Sequence, residues 1–404
     1  WMVGANRSED SGKEDHEINV LTTTVVNITT PPMLDYLGSV GKTEAVSQGV
    51  FLHGDYGFAE ELRASLGLRY TSESRDFTGC EYVQPYATSN GVLEGVFTGE
   101  ANRRRTLAGL SAHAPIQKDE CLSLDAQGNN DAVDDTLKEH NVSGRISLDW
   151  KPAEDYLFYG ALMRGFKSGG FPVTNATDQK QYAPVTQEKL NAVELGSKLT
   201  LLDSRLRFNS ALFYYDYRDK QLLTRFNDPL WGAVPLLANA PKSNVKGAEI
   251  DIQAAPVAGL FVSFAASYIK TEIKEFVGTG VYGEDIDFAG KPFNFAPKFE
   301  YTLLADYTHA MTDTLKWGAG FDYAFTSKTN SSLEQNELFA HDKFAILNLR
   351  ARISDATDVW DATFWVRNAT NEFSTVGIFQ TSDSVARITG KPRTIGVTVK
   401  YAFE

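Results

Sequence analysis

Two cysteines, an acidic run and a scatter of aromatic rings and cations are the residues of this chain whose types and spacing could do chemistry. Cys80 and Cys121 both fall in the longest polar stretch. An even count in an oxidising compartment reads as one disulfide, which would staple an exposed loop and hold its Cα atoms about 4.4 to 6.8 Å apart. The run Asp125-Ala-Gln-Gly-Asn-Asn-Asp131, continuing to Asp134 and Asp135, sets hard oxygen ligands close together, as a Ca²⁺ loop does. It lacks the spacing and terminal Glu of an EF-hand, so a solvated acidic loop is the plainer reading and no metal is expected. Catalytic signatures are missing: there is no His-Glu-x-x-His pair, no Gly-x-Ser-x-Gly elbow and no phosphate-binding glycine loop. Neither an enzyme activity nor a cofactor is expected. Binding is what remains, and Phe166, Lys167, Phe171, Tyr182, Trp231, Tyr282 and Phe379 are the candidates for it. Their rings could stack on an aromatic chelate, a sugar or a corrin while the lysine pairs with an anionic group; anchoring at a membrane interface or packing of loops is the competing role for each.

Such side chains act only if something holds them, and the patterning says what does. Ile395-Gly-Val-Thr-Val-Lys-Tyr-Ala-Phe403 alternates strictly between large apolar and small or polar residues, which is a strand with one oily face. Leu62, Ala64, Leu66, Leu68 and Tyr70 likewise oppose Arg63, Ser65, Gly67, Arg69 and Thr71. Val142, Gly144, Ile146, Leu148 and Trp150 oppose Ser143, Arg145, Ser147 and Asp149, and Leu347, Leu349, Ala351 and Ile353 oppose Asn348, Arg350 and Arg352. Arginine at a strand centre needs water, so one face is expected to meet lipid and the other a polar lumen. The candidate lumen-facing set is Arg63, Arg69, Arg145, Glu194, Lys198, Arg207, Glu249, Asp251, Arg350, Arg352 and Arg367. About fourteen such strands recur with no linker between them, so residues 1–404 read as one unit, an all-β antiparallel transmembrane barrel. A sheet in hydrocarbon has to close, because unpaired backbone groups there cost several kcal/mol each.

Connections alternate in length. Short turns are predicted near 57–61, 151–155, 202–204, 256–259, 310–314 and 355–358, and long loops over 9–43, 77–137, 167–188, 222–243, 275–295, 327–341 and 372–390. Short periplasmic turns and long extracellular loops are the habit of outer-membrane barrels, which orients the chain. Composition agrees. Aromatic residues reach 12%, and hydrophobic residues at 42% form no run of the roughly 20 residues a membrane helix requires. A net charge of −13 argues against a nucleic-acid partner.

At Tyr156-Leu-Phe-Tyr-Gly-Ala-Leu-Met-Arg-Gly-Phe-Lys-Ser-Gly-Gly-Phe171 the chain resembles the TonB-dependent outer-membrane receptors, whose barrels carry a similar Gly-Phe-Lys-x-Gly-Gly stretch. Glu194-Leu-Gly-Ser-Lys198, Leu202-Asp-Ser-Arg-Leu-Arg-Phe-Asn209 and Phe213-Tyr-Tyr-Asp-Tyr-Arg-Asp219 resemble the family's next hairpin in the same order. Trp365-Val-Arg-Asn-Ala-Thr-Asn-Glu372 resembles its penultimate strand, and Gly390-Lys-Pro-Arg-Thr-Ile-Gly396 the approach to its last. The resemblance implies a carboxy-terminal portion of a 22-strand barrel, with an amino-terminal plug and TonB-contacting segment expected ahead of Trp1. It also implies energy-coupled import of a scarce small-molecule ligand across the bacterial outer membrane, most often a ferric siderophore, with outer-membrane lipid and the TonB complex as partners. Two alternatives stay open: a self-contained outer-membrane channel or hydrophobic-solute transporter of about fourteen strands, and a soluble all-β carbohydrate-binding module packed as a sandwich.

Overall fold

The computed structural model describes residues 1–18, 37–83, 91–173, 176–230, 232–380 and 385–403. Its core is one antiparallel sheet of fourteen strands, each hydrogen-bonded to its neighbours in chain order. These are β1 (Met2–Ile18), β2 (Leu37–Ala59), β3 (Leu62–Val83), β4 (Val133–Ala153), β5 (Tyr156–Lys167), β6 (Glu188–Leu201) and β7 (Leu206–Asp228). Then follow β8 (Gly232–Ala254), β9 (Leu260–Glu275), β10 (Phe299–Ala310), β11 (Leu315–Thr326), β12 (Phe344–Asp355), β13 (Trp360–Arg367) and β14 (Thr394–Tyr401). Among the described residues β1 pairs only with β2 and β14 only with β13, which leaves the sheet two unpaired edges.

Register decides the faces, because residues directly opposite one another in an antiparallel pair share a side of the sheet. Leu66, Ile146 and Leu162 are opposite one another in turn, and so are Leu195 and Leu212. They remain exposed, Leu195 at 58% and Leu212 at 61%, which is tolerable only if hydrocarbon takes the place of water. Large rings border this oily band on both sides. Trp150, Phe158, Tyr307, Trp317, Trp360 and Tyr401 stand beside the short turns. Tyr70, Tyr214, Tyr268, Phe299, Tyr301 and Phe325 stand toward the long loops. Such paired aromatic girdles mark the two interfaces of a bilayer.

The short turns fall where predicted. Residues 202–204 turn with three consecutive left-handed conformations, at φ 55°, 52° and 66°. Gly259 closes the β8–β9 turn at φ 82°, and a Cβ there would stand 2.1 Å from the Thr308 carbonyl oxygen, so only glycine fits. Three of the predicted loops are shorter than read. Residues 222–243 are not a loop, since β7 and β8 stay paired from Leu206↔Ala254 to Asp228↔Gly232. Residues 9–18 and 37–43 pair down to Ile18↔Leu37, and β3 runs on through Val83. The oily face stops at the bilayer surface and the sequence pattern stops with it, whereas the backbone ladder needs no oily face to continue in water. Within 77–137 lies the helix α1 (Val92–Leu107), which no expectation included.

Candidate functional site

Above the bilayer the connections fold onto one another around small apolar cores. Helix α1 buries Leu93, Phe97 and Ala101, spaced four apart on one face, against Leu37, Val83, Ile116, Leu122 and Leu124. Arg104 from its last turn pairs with Glu100 at 2.9 Å and with Asp178 of the β5–β6 loop at 3.3 Å, and donates to the Asp125 carbonyl at 2.8 Å. Burial pushes the Glu100 carboxyl up, but hydrogen bonds from Arg103 and Arg104 outweigh it and hold the group below the usual range. Cys80 and Cys121 are joined as a disulfide with Cα atoms 5.7 Å apart, tying β3 to the segment that follows the helix. The first acid of the run is held by its own backbone: Asp125 accepts from the N–H groups of Gln127 and Asn129, both at 2.8 Å. Among the described residues no group of three or more His, Cys, Asp or Glu is arranged to hold a metal ion.

A second set of loops leaves a cavity of about 190 Å³. Thr224 and Arg225 from the projecting end of β7 line one wall, and Phe288 and Phe295 from the β9–β10 connection another. Glu334 and Phe339 come from the β11–β12 loop, and Ile378 and Phe379 from the last loop. Arg225 is half-buried and spends one N–H on the Ala233 carbonyl at 2.8 Å. Glu334, which accepts from the Val281 N–H, is raised above the ordinary carboxylate range chiefly by burial. The Thr224 hydroxyl has no hydrogen-bond partner among the described residues. The cavity therefore offers flat rings on one wall and a guanidinium on another, suited to an aromatic group that carries negative charge.

The sequence candidates scatter around this arrangement. Phe379 lines the cavity, and Tyr282, 69% exposed, sits next to its lining residue Val281. Tyr182 is fully buried and Phe171 stacks on Phe77 at 4.8 Å, so both rings serve a loop core rather than an open surface. Phe166 lies on the lipid-side face with Arg164 over its ring at 5.2 Å, and Lys167 ends β5 opposite Glu188 on the other face. Trp231 lies outside the described residues. Arg225, Phe288, Phe295 and Phe339 were missed, because nothing local sets them apart from other loop residues and only the meeting of four loops does.

Register puts all eleven lumen candidates on the face opposite the oily band. They are tied to neighbours: Arg63 to Asp55 at 2.8 Å, Glu194 to the Tyr159 hydroxyl at 2.9 Å, and Asp251 to Asn209 at 3.2 Å. Arg350 bridges Asp306 and Asp322, the latter at 3.1 Å, Arg352 reaches Asp358 at 3.0 Å, and Arg367 lies over the Trp365 ring. Lys198 and Glu249 line a concavity of about 620 Å³ on this face, and Arg69 and Arg145 another of about 800 Å³. Arg207 stands opposite Gln253.

A family model described as "TonB dependent receptor-like, beta-barrel" matches residues 10–369. A comparison with curated protein sequences gives no match. Among solved structures, the ferric yersiniabactin uptake receptor FyuA from Yersinia pestis superposes with a TM-score of 0.70 at 14% identity, covering 100% of this chain and 51% of that one. The ferric-catecholate import receptor Fiu from Escherichia coli K12 gives 0.59 at 14%, covering 98% and 52%. The siderophore receptor PiuA from Acinetobacter baumannii gives 0.57 at 13%, covering 90% and 43%. The likeness is one of fold, and this chain spans about half the length of the structures it matches.

Proposed function

The chain belongs to the TonB-dependent receptor-like β-barrel family, and from that premise we propose that it forms the wall and outer mouth of an energy-coupled importer of an anionic ferric chelate of the siderophore class. Its place is the bacterial outer membrane, and its family is one of transport receptors rather than enzymes. The observation that carries the ligand class is the half-buried Arg225 set among Phe288, Phe295, Phe339 and Phe379. A cavity of about 190 Å³ admits one catechol-sized ring rather than a whole chelate, so it serves as a subsite that orients the ligand above the lumen. The ligands named for the fold relatives, ferric yersiniabactin and a ferric catecholate, are of the same class. A polar inner face built of ion pairs and hydrogen bonds suits contact with a plug that TonB pulls upon, and residues 1–404 act as a single barrel portion. The unpaired edges of β1 and β14 weigh against a self-contained channel of fourteen strands, since a spanning sheet has to close.

The test is a fluorescence titration of the full-length receptor with a ferric tris-catecholate, cobalamin and a maltooligosaccharide. Saturable binding of the ferric chelate, weakened about tenfold by Arg225→Ala, supports the reading; about 1.4 kcal/mol corresponds to that factor. Binding of cobalamin or oligosaccharide without the chelate overturns the ligand class.

A further inference from the structure

Beyond the Tyr70 ring, where β3 stands clear of the bilayer, Glu81 is shut in completely. It is 0% exposed, as are Ser39, Ser123, Thr177 and Tyr182, and Asp228 is 4% exposed. Four other stretches of chain converge there. Ser39 lies directly opposite Glu81 on β2. The segment after α1 is tied to β3 twice: the Ser123 hydroxyl accepts from the Glu81 N–H at 3.1 Å, and the Leu122 N–H donates to the Glu81 carbonyl at 2.7 Å. The β5–β6 loop brings Tyr182, whose hydroxyl stands beside Ser39 and Ser123. That loop is fixed in turn to the end of β7, where Asp228 accepts from the Thr177 N–H at 3.0 Å.

Nothing among the described residues answers the Glu81 carboxyl: neither Oε1 nor Oε2 has a hydrogen-bond partner. The ionisable groups that act on it are Asp228 from β7, an acid like itself, and Tyr182 from the β5–β6 loop. From β2 and from the segment after α1 come only the hydroxyls of Ser39 and Ser123. Arg104, the buried cation of α1, is committed to Glu100 at 2.9 Å and to Asp178 at 3.3 Å. Burial first, and then the Asp228 charge, push the Glu81 carboxyl well above its ordinary range, and the nearby Ala176 N–H offsets only part of this. An ionised carboxylate without a partner is too costly to enclose, so the closed loops hold the group neutral. We propose that Glu81 is a proton-held clasp: protonated, it lets β2, β3, the segment after α1, the β5–β6 loop and the end of β7 pack as one body, and loss of the proton lifts the β5–β6 loop and the β7 end away from β3. Helix α1 stays in place, since the Cys80–Cys121 disulfide and its own apolar core fasten it independently of this carboxyl. The released strand end carries Thr224 and Arg225, which line the outer cavity, so acidity outside the cell governs how firmly that rim is held.

A carboxyl raised in the folded state stabilises the closed form in full below its ordinary value near 4.5, and that contribution is lost as pH climbs through the raised value. Within this window each pH unit multiplies the open fraction by about tenfold. The test is hydrogen exchange of the full-length receptor in nanodiscs with EDTA present, corrected for the intrinsic exchange rate, at pH 5 and at pH 8. Protection of the amides of 177–182 and 224–228 should fall at least about tenfold between the two, while that of 92–107 holds. Glu81→Gln keeps the shape of the neutral carboxyl and cannot ionise, so its protection should be the same at both pH values. A flat profile in the unaltered receptor overturns the proposal without any variant. So does a fall that persists in Glu81→Gln, which would place the titrating group elsewhere. If Glu81→Gln does not fold, Asp228→Asn takes its place: with the neighbouring charge removed the fall should shrink, and an unchanged fall overturns the proposal.

Discussion

Moving a single charge from one face of the sheet to the other is the sharpest test of how this chain sits in a membrane. Leu195 lies midway along β6 on the oily face, between Gly160 and Leu212, and is 58% exposed on the bare chain. Arginine there should destabilise the full-length receptor by about 2–4 kcal/mol, the cost of a guanidinium near the bilayer midplane of a barrel. Ser267 on β9 faces the other way, into the concavity of about 620 Å³, with Glu249 directly opposite on one neighbour and Glu300 on the other. Ser267→Arg gains two carboxylate partners and should change stability by less than about 1 kcal/mol. The two variants therefore differ by at least about 1 kcal/mol, roughly a fivefold ratio in the folding equilibrium. Urea unfolding in phospholipid vesicles, followed by tryptophan fluorescence, measures both. Equal losses, or a larger loss for Ser267→Arg, would refute the assignment of faces and the barrel with it.

Removing the disulfide by Cys80→Ser with Cys121→Ser frees a loop with a sequence separation of 41, worth about 4 kcal/mol by chain entropy; trypsin should then cut near α1 while the barrel's melting temperature holds. The Glu100 carboxyl, ordinarily near 4.5, is held lower in the folded loop, so its contribution is present above that value and drains away as pH falls through the lower folded value. Protease sensitivity of 92–107 should accordingly rise below about pH 4 and stay flat from 5 to 8, and Glu100→Gln should abolish the pH dependence. Arg350→Ala strands Asp306 and Asp322 on the inner face and should cost about 1–2 kcal/mol in the same urea assay, with Asp306→Asn restoring part of it.

What the sequence disclosed follows what a bilayer demands of it. Val142 to Trp150 had to alternate because lipid and lumen lie on opposite sides, so strand positions, faces and short turns were all legible. Above the interface that demand lapses. Leu222 to Ser243 reads as loop because its apolar residues pack into a core above the bilayer, Leu222 with Ile273 at the end of β9 and Phe276 just beyond it, and no longer alternate against lipid. Helix α1 was hidden for a different reason: of its buried residues only Leu93, Phe97 and Ala101 are apolar, the others being Glu94, Glu100 and Arg104, in a segment otherwise polar and framed by cysteines. The cavity wall was least legible of all, because Arg225, Glu334 and Phe379 lie more than forty residues apart in succession and meet only after four loops have folded.

The hairpin of β7 and β8 inherits its alignment from below. Its lower half cannot slip by one residue, for that would turn Leu212 toward water and Tyr215 toward lipid, whereas its upper half, beyond Leu222↔Ala238, has no lipid to hold its register. The immersed half acts as a vice on the exposed half, so side chains facing the outside world can be exchanged over generations without shifting the backbone they stand on. A receptor mouth built this way can acquire new chemistry at Thr224 or Pro235 while the geometry of the rim is conserved by residues that never meet a ligand.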